Sequence, residues 1–202
     1  MKTPIPHAIA LALSALVSLC GCAKASTTQN AATEAHATPP WEKALVVCFS
    51  ATGNTRGVAQ RLAAAIGADF VEITPAQPYS PEDLDWRNKE SRTSREMADR
   101  KSRPAIATAF PRLGEYETIF LGFPIWWGRE PSIIDTFVES NAGTLAGKTI
   151  VPFATSGSSG MGDTTANLQA LAPQAKVLPG RRFPVKTDGA TLGKWAGEIG
   201  KE

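Results

Sequence analysis

Histidine is nearly absent from the 202-residue chain, which has only His7 and His36. Both precede the stretch where regular strand and helix patterns begin, so the folded part has no imidazole. This excludes a Ser-His-Asp or Cys-His nucleophile and removes the commonest zinc ligand. Cysteine is scarce as well, at Cys20, Cys22 and Cys48. Cys48 lies within an apolar run and reads as a buried thiol, not a disulfide partner. Neither sign of charge is in excess, since 21 Lys and Arg oppose 19 Asp and Glu for a formal net charge of +2. No basic run is long enough to track a phosphate backbone, so no nucleic-acid partner is expected. No long hydrophobic run occurs either. The apolar stretch at residues 9–19 is well short of the ~20 residues a spanning helix needs.

That short run belongs to a targeting segment. Lys2 gives a positive start, the apolar stretch follows, and it ends in Leu19-Cys20-Gly21-Cys22. A small residue directly before a cysteine, with an aliphatic residue three before it, resembles a lipobox. The resemblance implies that residues 1–22 are a lipoprotein signal and that Cys22 becomes the lipidated first residue. Cys20 is the poorer candidate, because Leu19 is a poor residue at the cleavage position. Lipidation would place the chain in a bacterial cell envelope, anchored to a membrane on the extracytoplasmic side. Ala23 and Lys24 lack the Asp that commonly retains lipoproteins at the inner membrane, which favours the outer one. Residues 23–40 are small and polar, a composition that reads as a flexible tether. Residues 41–202 form the domain.

Within it, Ala44-Leu45-Val46-Val47-Cys48-Phe49 is a continuous apolar run, the pattern of a strand buried on both faces. Val58, Leu62 and Ile66 mark a following helix, with Gly67 as its stop. Residues 70–73, 118–123, 149–153 and 175–178 read as further strands. Helices are expected from Pro131, near 163–171 and near 191–199. Residues 74–112 break the alternation, with a helix expected from Ser80-Pro81 to before Pro104. The fold class is therefore α/β: a doubly wound, mostly parallel five-stranded sheet with helices on both faces.

In such sheets ligands bind beyond the carboxyl ends of the strands. Three strand ends carry unusual loops. The first holds Ser50, Thr52, Gly53, Asn54 and Thr55 and opens a helix N-terminus, which favours an anion. It has no Walker Lys and no G-x-G-x-x-G, so a hydroxyl-rich cradle for one phosphate monoester is the sharper reading and a simple helix cap the plainer one. The second is Pro124-Ile125-Trp126-Trp127-Gly128. Adjacent tryptophans cannot both enter one core face, so one of them can serve as a platform for a flat ring, or one is core and the other covers a helix. The third includes Thr155, Ser156, Gly157, Ser158 and Gly160. Its hydroxyls and backbone donors suit the polar edge of a ring, and equally a surface loop.

Together the loops become specific. Phe49-Ser50-Ala51-Thr52-Gly53-Asn54-Thr55 resembles the phosphate-binding loop of flavodoxins. Gly122-Phe123-Pro124-Ile125-Trp126-Trp127-Gly128 and Phe153-Ala154-Thr155-Ser156-Gly157 are similar to the second and third FMN loops of the flavodoxin-like group marked by Pro-Ile-Trp-Trp-Gly. The resemblance covers roughly 44–199. It implies FMN as cofactor, with its phosphate on the first loop, Trp126 or Trp127 near the ring face, and the third loop on the pyrimidine edge. A backbone group near Gly128 is expected at N5. Two departures stand out. The third loop has no aromatic residue, leaving one ring face open or covered by Tyr79, Trp86 or Met161. The chain also lacks the acidity typical of flavodoxins.

The expected function is electron carriage by an FMN protein in the cell envelope, exchanging with a redox protein or a quinone. A flavin-dependent reductase and a non-redox binding module of the same fold are the alternatives. A phosphorylated receiver domain is excluded, because Phe49-Ser50 offers no acid at the end of the first strand.

Overall fold

The computed structural model describes Trp41 and residues 43–199. The signal segment, the tether and Cys22 lie outside the described residues. β1 (Ala44–Cys48) is buried at every position. Leu45 and Val47 join the core on one face of the sheet, while Ala44, Val46 and Cys48 join the core on the other. This is the burial that a continuous apolar run demands of a central parallel strand. α1 (Asn54–Ile66) buries Val58, Ala59 and Leu62 and stops at Gly67, whose φ of +68° is left-handed and whose N–H bonds Ala63 O. β2 (Asp69–Glu72) follows.

β3 (Thr118–Pro124) and β4 (Thr149–Thr155) complete the middle of the sheet, whose order is β2-β1-β3-β4-β5 with every pairing parallel. The last position is shared. β5 (Lys176–Val177) pairs with the start of β4, and β6 (Arg181–Phe183) pairs with its end. Pro179 and Gly180 separate the two pieces, where proline lacks a ladder N–H. A Cβ on Gly180 would stand 3.1 Å from Pro152 Cβ and 3.2 Å from its carbonyl oxygen, so the chain is tightly fitted here. β6 escapes a periodicity reading because two of its three residues are exposed arginines.

α3 (Ser132–Ser140), α4 (Ala142–Leu145) and α5 (Thr164–Leu171) cover one face, through Ile133, Ile134, Phe137, Val138, Leu145 and Leu168. α1 and α6 (Gly189–Ile199) cover the other, where Leu192, Trp195 and Ala196 meet Val58 and Leu62. The helices thus lie on both faces, as the α/β alternation requires. No described helix is long and apolar enough to cross a membrane.

Residues 74–112 depart from expectation. The helix there is only α2 (Arg92–Ala98), not a long one from Ser80. Ser80 N donates to Asp83 Oδ2 at 3.0 Å and Asp83 N to Ser80 Oγ at 3.2 Å, which closes a turn. Asp85 and Asn88 side chains then accept the N–H groups of Arg87 and Glu90. These local bonds offer the backbone an alternative to helix. Helix begins only at Ser91, whose Oγ accepts Ser94 N.

Gly122 in β3 faces Phe153 in β4, and a Cβ at Gly122 would stand 2.3 Å from that ring. The ring is buried and cannot step aside. Gly122→Ala is therefore expected to cost about 1–3 kcal/mol in a urea melt, with Phe153→Leu restoring part of it in the double variant. An unchanged midpoint in the single variant would show that the ring relocates freely.

Candidate functional site

The first loop leads from β1 into α1. Gly53 stands at the helix N-cap with φ +83°, no side chain caps the helix, and its first turn holds no acid. The leading N–H groups thus meet neither a capping oxygen nor a local negative charge, and the helix dipole adds positive potential. Thr52 and Asn54 are exposed around this end, while Ser50 and Thr55 are buried. Glu72 holds the Arg56 guanidinium through Nε and Nη2 at 2.7 Å each, and Arg56 Nη1 lies 3.7 Å from where a Cβ on Gly53 would stand, beside the loop.

The second loop is a tight turn. Trp126 N donates to Arg129 O at 2.9 Å and Arg129 N to Trp126 O at 3.1 Å. Trp127 and Gly128 occupy its centre with φ of +48° and +80°, as a primed hairpin turn requires. Gly128 takes this conformation freely. Trp127 is the one non-glycine residue with positive φ among those described, a strain of about 1–2 kcal/mol. The turn separates the two tryptophans. Trp126 packs edge-to-face on Phe49 at 5.6 Å and on Tyr79 at 5.5 Å, whereas Trp127 is 51% exposed.

The third loop closes against both others. Thr155 Oγ1 and Thr55 Oγ1 are hydrogen-bonded at 2.8 Å, both buried. Thr155 O accepts Ile125 N at 2.9 Å. Gly162 has φ +52°, and a Cβ there would meet Gly128 O at 2.2 Å, so the chain touches the second turn through bare backbone. Ser156 Oγ accepts Ser159 N at 2.9 Å, leaving Gly157, Ser158 and Gly160 exposed.

A cavity of about 360 Å³ opens between these elements. Ser50, Ala51 and Thr52 line it from the first loop, and Pro124, Ile125, Trp126 and Trp127 from the second. Leu84, Trp86 and Thr93, from residues 74–112, form the facing wall. Gly53, Asn54 and Thr55 stand beside it at the helix start, and Gly128 at the rim turn. Thr155, Ser156, Gly157, Ser158 and Gly160 converge on the loops without lining this cavity. Of the three residues named for the open side, Trp86 lines the cavity and is 64% exposed. Tyr79 instead stands behind Trp126. Its hydroxyl donates to Glu96 Oε2 at 2.7 Å, and burial with that bond raises its pKa. Met161 packs beside Gly180. Leu84 and Thr93 were not singled out from the sequence, where they sit in a charged stretch without periodicity. Cys48 is a free, buried thiol whose pKa burial, then Glu72, push up to about 12, so it brings no thiolate to the site.

Behind the second turn lies a buried charged cluster. Arg129, Glu130 and Asp135 are almost wholly removed from solvent. Arg129 Nη1 donates to Asp135 Oδ2 at 3.2 Å, and Asn167 Nδ2 to Glu130 Oε1 at 3.1 Å. Burial, followed by the charge of Glu130, raises the Asp135 pKa to about 7, against the pull of Arg129 and Arg103.

Two outcomes follow from this geometry. Thr55→Val leaves the Thr155 hydroxyl buried without its partner and is expected to cost about 1–3 kcal/mol. In the double variant with Thr155→Val the loss is smaller than the sum of the singles, by a denaturant double-mutant cycle. For Asp135, the folded pKa lies above the unfolded value, so the folded chain keeps a proton that the unfolded chain has released. Stability contributed by that proton is present in full at acid pH and is lost as pH rises toward about 7. Asp135→Asn should flatten this fall between about pH 4 and pH 7, read as midpoints of thermal unfolding. Parallel profiles for the two proteins would refute the assignment.

Comparison with known proteins agrees with this arrangement. The family model described as Flavodoxin matches residues 43–199. A solved structure of a candidate flavoprotein from Bacteroides eggerthii is 46% identical, covering 78% of this chain and 97% of that one, with a TM-score of 0.73. A second, from Bacteroides uniformis, is 44% identical over 77% and 97% of the two chains, with a TM-score of 0.71. A flavoprotein from Lactobacillus acidophilus in complex with FMN shares the fold at 19% identity, over 76% and 98%, with a TM-score of 0.61. A search of curated proteins gave no match. A five-position parallel sheet in the order β2-β1-β3-β4-β5, loops gathered at one end of it, and a family match across the described domain lead to one conclusion: the chain belongs to the flavodoxin family.

Proposed function

We propose that this protein binds FMN non-covalently and carries electrons in the bacterial cell envelope, anchored by lipid on Cys22, with a redox protein or a quinone as partner. The observation that carries the cofactor reading is the uncapped N-terminus of α1 beside a tryptophan-lined cavity at the carboxyl end of the sheet. The groups present suit the cofactor. Ser50, Thr52, Gly53, Asn54 and Thr55 offer hydroxyl, amide and main-chain donors for a phosphate monoester, with the Arg56 guanidinium beside them. Trp127 and Trp86 are exposed apolar rings on the two sides of a space within the usual range for small-ligand sites. Thr155, Ser156, Gly157, Ser158 and Gly160 supply donors for the polar edge of the ring. FMN complexed with a structural relative of the same fold adds support.

When bound, the flavin supplies the redox chemistry. The chain's own residues bind, orient and shield. Trp127 stacks, the first loop fixes the phosphate end, and the second and third loops, joined through Ile125 and Thr155, keep the polar edge in register with it. No acid-base side chain is required at the cavity. The exposed rings of Trp86 and Trp127 also leave room for a planar acceptor, which favours the reductase as the second reading. Steady-state turnover with NADH and a quinone separates the two.

The experiment is a titration of the purified protein with FMN, followed by flavin fluorescence and the visible spectrum. Quenching with a dissociation constant at or below micromolar is expected. Trp127→Ala should relieve the quenching and weaken binding by roughly three- to tenfold, the equivalent of one aromatic stack. Anaerobic reductive titration then tells one-electron from two-electron behaviour, and so carrier from enzyme. Absence of quenching at micromolar concentrations would sink the cofactor reading and leave a binding module with the same fold.

A further inference from the structure

Arg129 reaches both walls of the cavity. Its main chain forms half of the Trp126–Arg129 pairing that closes the turn under Trp127. Its side chain runs inward and is buried. There Nη1 donates to Glu130 O at 3.1 Å and to Asp135 Oδ2 at 3.2 Å. The other arm, Nη2, donates to Met97 O at 3.5 Å and Ser132 Oγ at 3.4 Å. Ser132 Oγ donates in turn to Glu96 O at 3.0 Å. Glu96 and Met97 lie in the last turn of α2, whose carbonyls have no helical partners and favour a cation. The first turn of α2 holds the facing wall. Thr93 lines the cavity, and its N and Oγ1 donate to Asp83 O at 3.1 and 2.7 Å, which fixes the turn leading through Leu84 to Trp86.

We infer that Arg129 is a positioning residue: it sets the spacing of the Trp127 and Trp86 walls, its main chain holding one and its guanidinium the other. The value of this for FMN affinity rests on the cofactor reading above. A buried ion pair is a poor source of stability, and an apolar side chain of similar volume serves packing as well. The planar fork, however, reaches an acid and a helix terminus at once, which a lysine ammonium cannot do.

The cluster also carries a proton. Glu130 Oε2 and Asp135 Oδ1 are buried without a hydrogen-bond partner, and burial beside the charge of Glu130 favours the protonated form of Asp135. The charged and polar groups around them are Arg129 from the turn, Asn167 from α5, and Arg103 from the segment after α2, whose Nη1 is 4.0 Å from Asp135 Oδ2. Arg103 also holds Glu139 of α3, and Arg100 reaches Asn167 Oδ1. Release of the Asp135 proton leaves a negative charge against Arg129 and shifts the balance between its acid and helix-end contacts. The wall spacing therefore responds to pH near neutrality.

The test needs readouts with and without ligand. In the FMN-free protein, amide hydrogen exchange of Arg129→Lys should rise in α2 and in the 126–129 turn while α1 and α6 stay as in wild type. FMN affinity should fall about tenfold, the loss of one charge-assisted hydrogen bond. Should Arg129→Lys fail to fold, Ser132→Ala removes the bridge to Glu96 O and should give a smaller rise confined to the same segments. FMN affinity of wild type should step across neutral pH, and Asp135→Asn should remove the step. Unchanged exchange in α2, or an equal rise in α1 and α6, would overturn the positioning role. A pH step retained in Asp135→Asn would overturn the link to the proton. A local rise in exchange in a protein that binds no FMN would keep Arg129's role and defeat the cofactor reading alone.

Discussion

The parallel register of β1, β3 and β4 is the constraint on which the site depends. Cys48 pairs with Gly122 and Gly122 with Phe153, so the strands end side by side and pointing the same way. Their loops have no choice but to emerge together. Sheet order reverses direction beside β1, which leaves a crevice where no crossover helix closes over the strand ends. Thr55 meeting Thr155 across a hundred residues of sequence is a consequence of that register, since neither hydroxyl has a local partner that would bring it there.

The two sides of the cavity are built on different physics. Trp126 and the first two loops stand directly on the sheet, backed by Phe49 and a fully buried core. The facing wall belongs to residues 74–112, which reach the domain through polar contacts, Thr108 Oγ1 on Glu72 O and Arg103 on Glu139, and through Tyr79, Ile106 and Phe110 packed against the core. The buried guanidinium of Arg129 is a point where the two walls are fastened together.

Sequence patterns sufficed wherever burial dictates a period. The run Ala44–Cys48, the stripe of α1 and the glycine at 67 could be read directly, and so could the positions of the glycine- and hydroxyl-rich loops. Other features were illegible for physical reasons. The short helix α2 lost its expected first half to Ser80, Asp83, Asp85 and Asn88, whose side chains compete with helical bonds over a few residues. β6 carries arginines on an edge, where no apolar run is required. Trp127's left-handed backbone depends on pairing between its neighbours, not on its own preference. Arg129 and Glu130 look in sequence like an ordinary charged turn, and only the fold buries them. Asp135 sits in a helix among Ile133, Ile134, Phe137 and Val138, and the rise in its pKa comes from tertiary burial beside Glu130 and not from its local sequence.

The sheet also sets apart four of the five tryptophans as two optical populations, with half-buried Trp126 standing at the cavity beside the second. Trp41 and Trp195 are buried in the α1–α6 face against Phe120, Phe153 and Phe183, where a dissolved quencher has little access. Trp86 and Trp127 stand in solvent at the cavity mouth. Emission from the first pair reports whether the domain is intact, and emission from the second reports what lies in the crevice. The molecule therefore carries an internal reference and a probe within one chain, with no label attached.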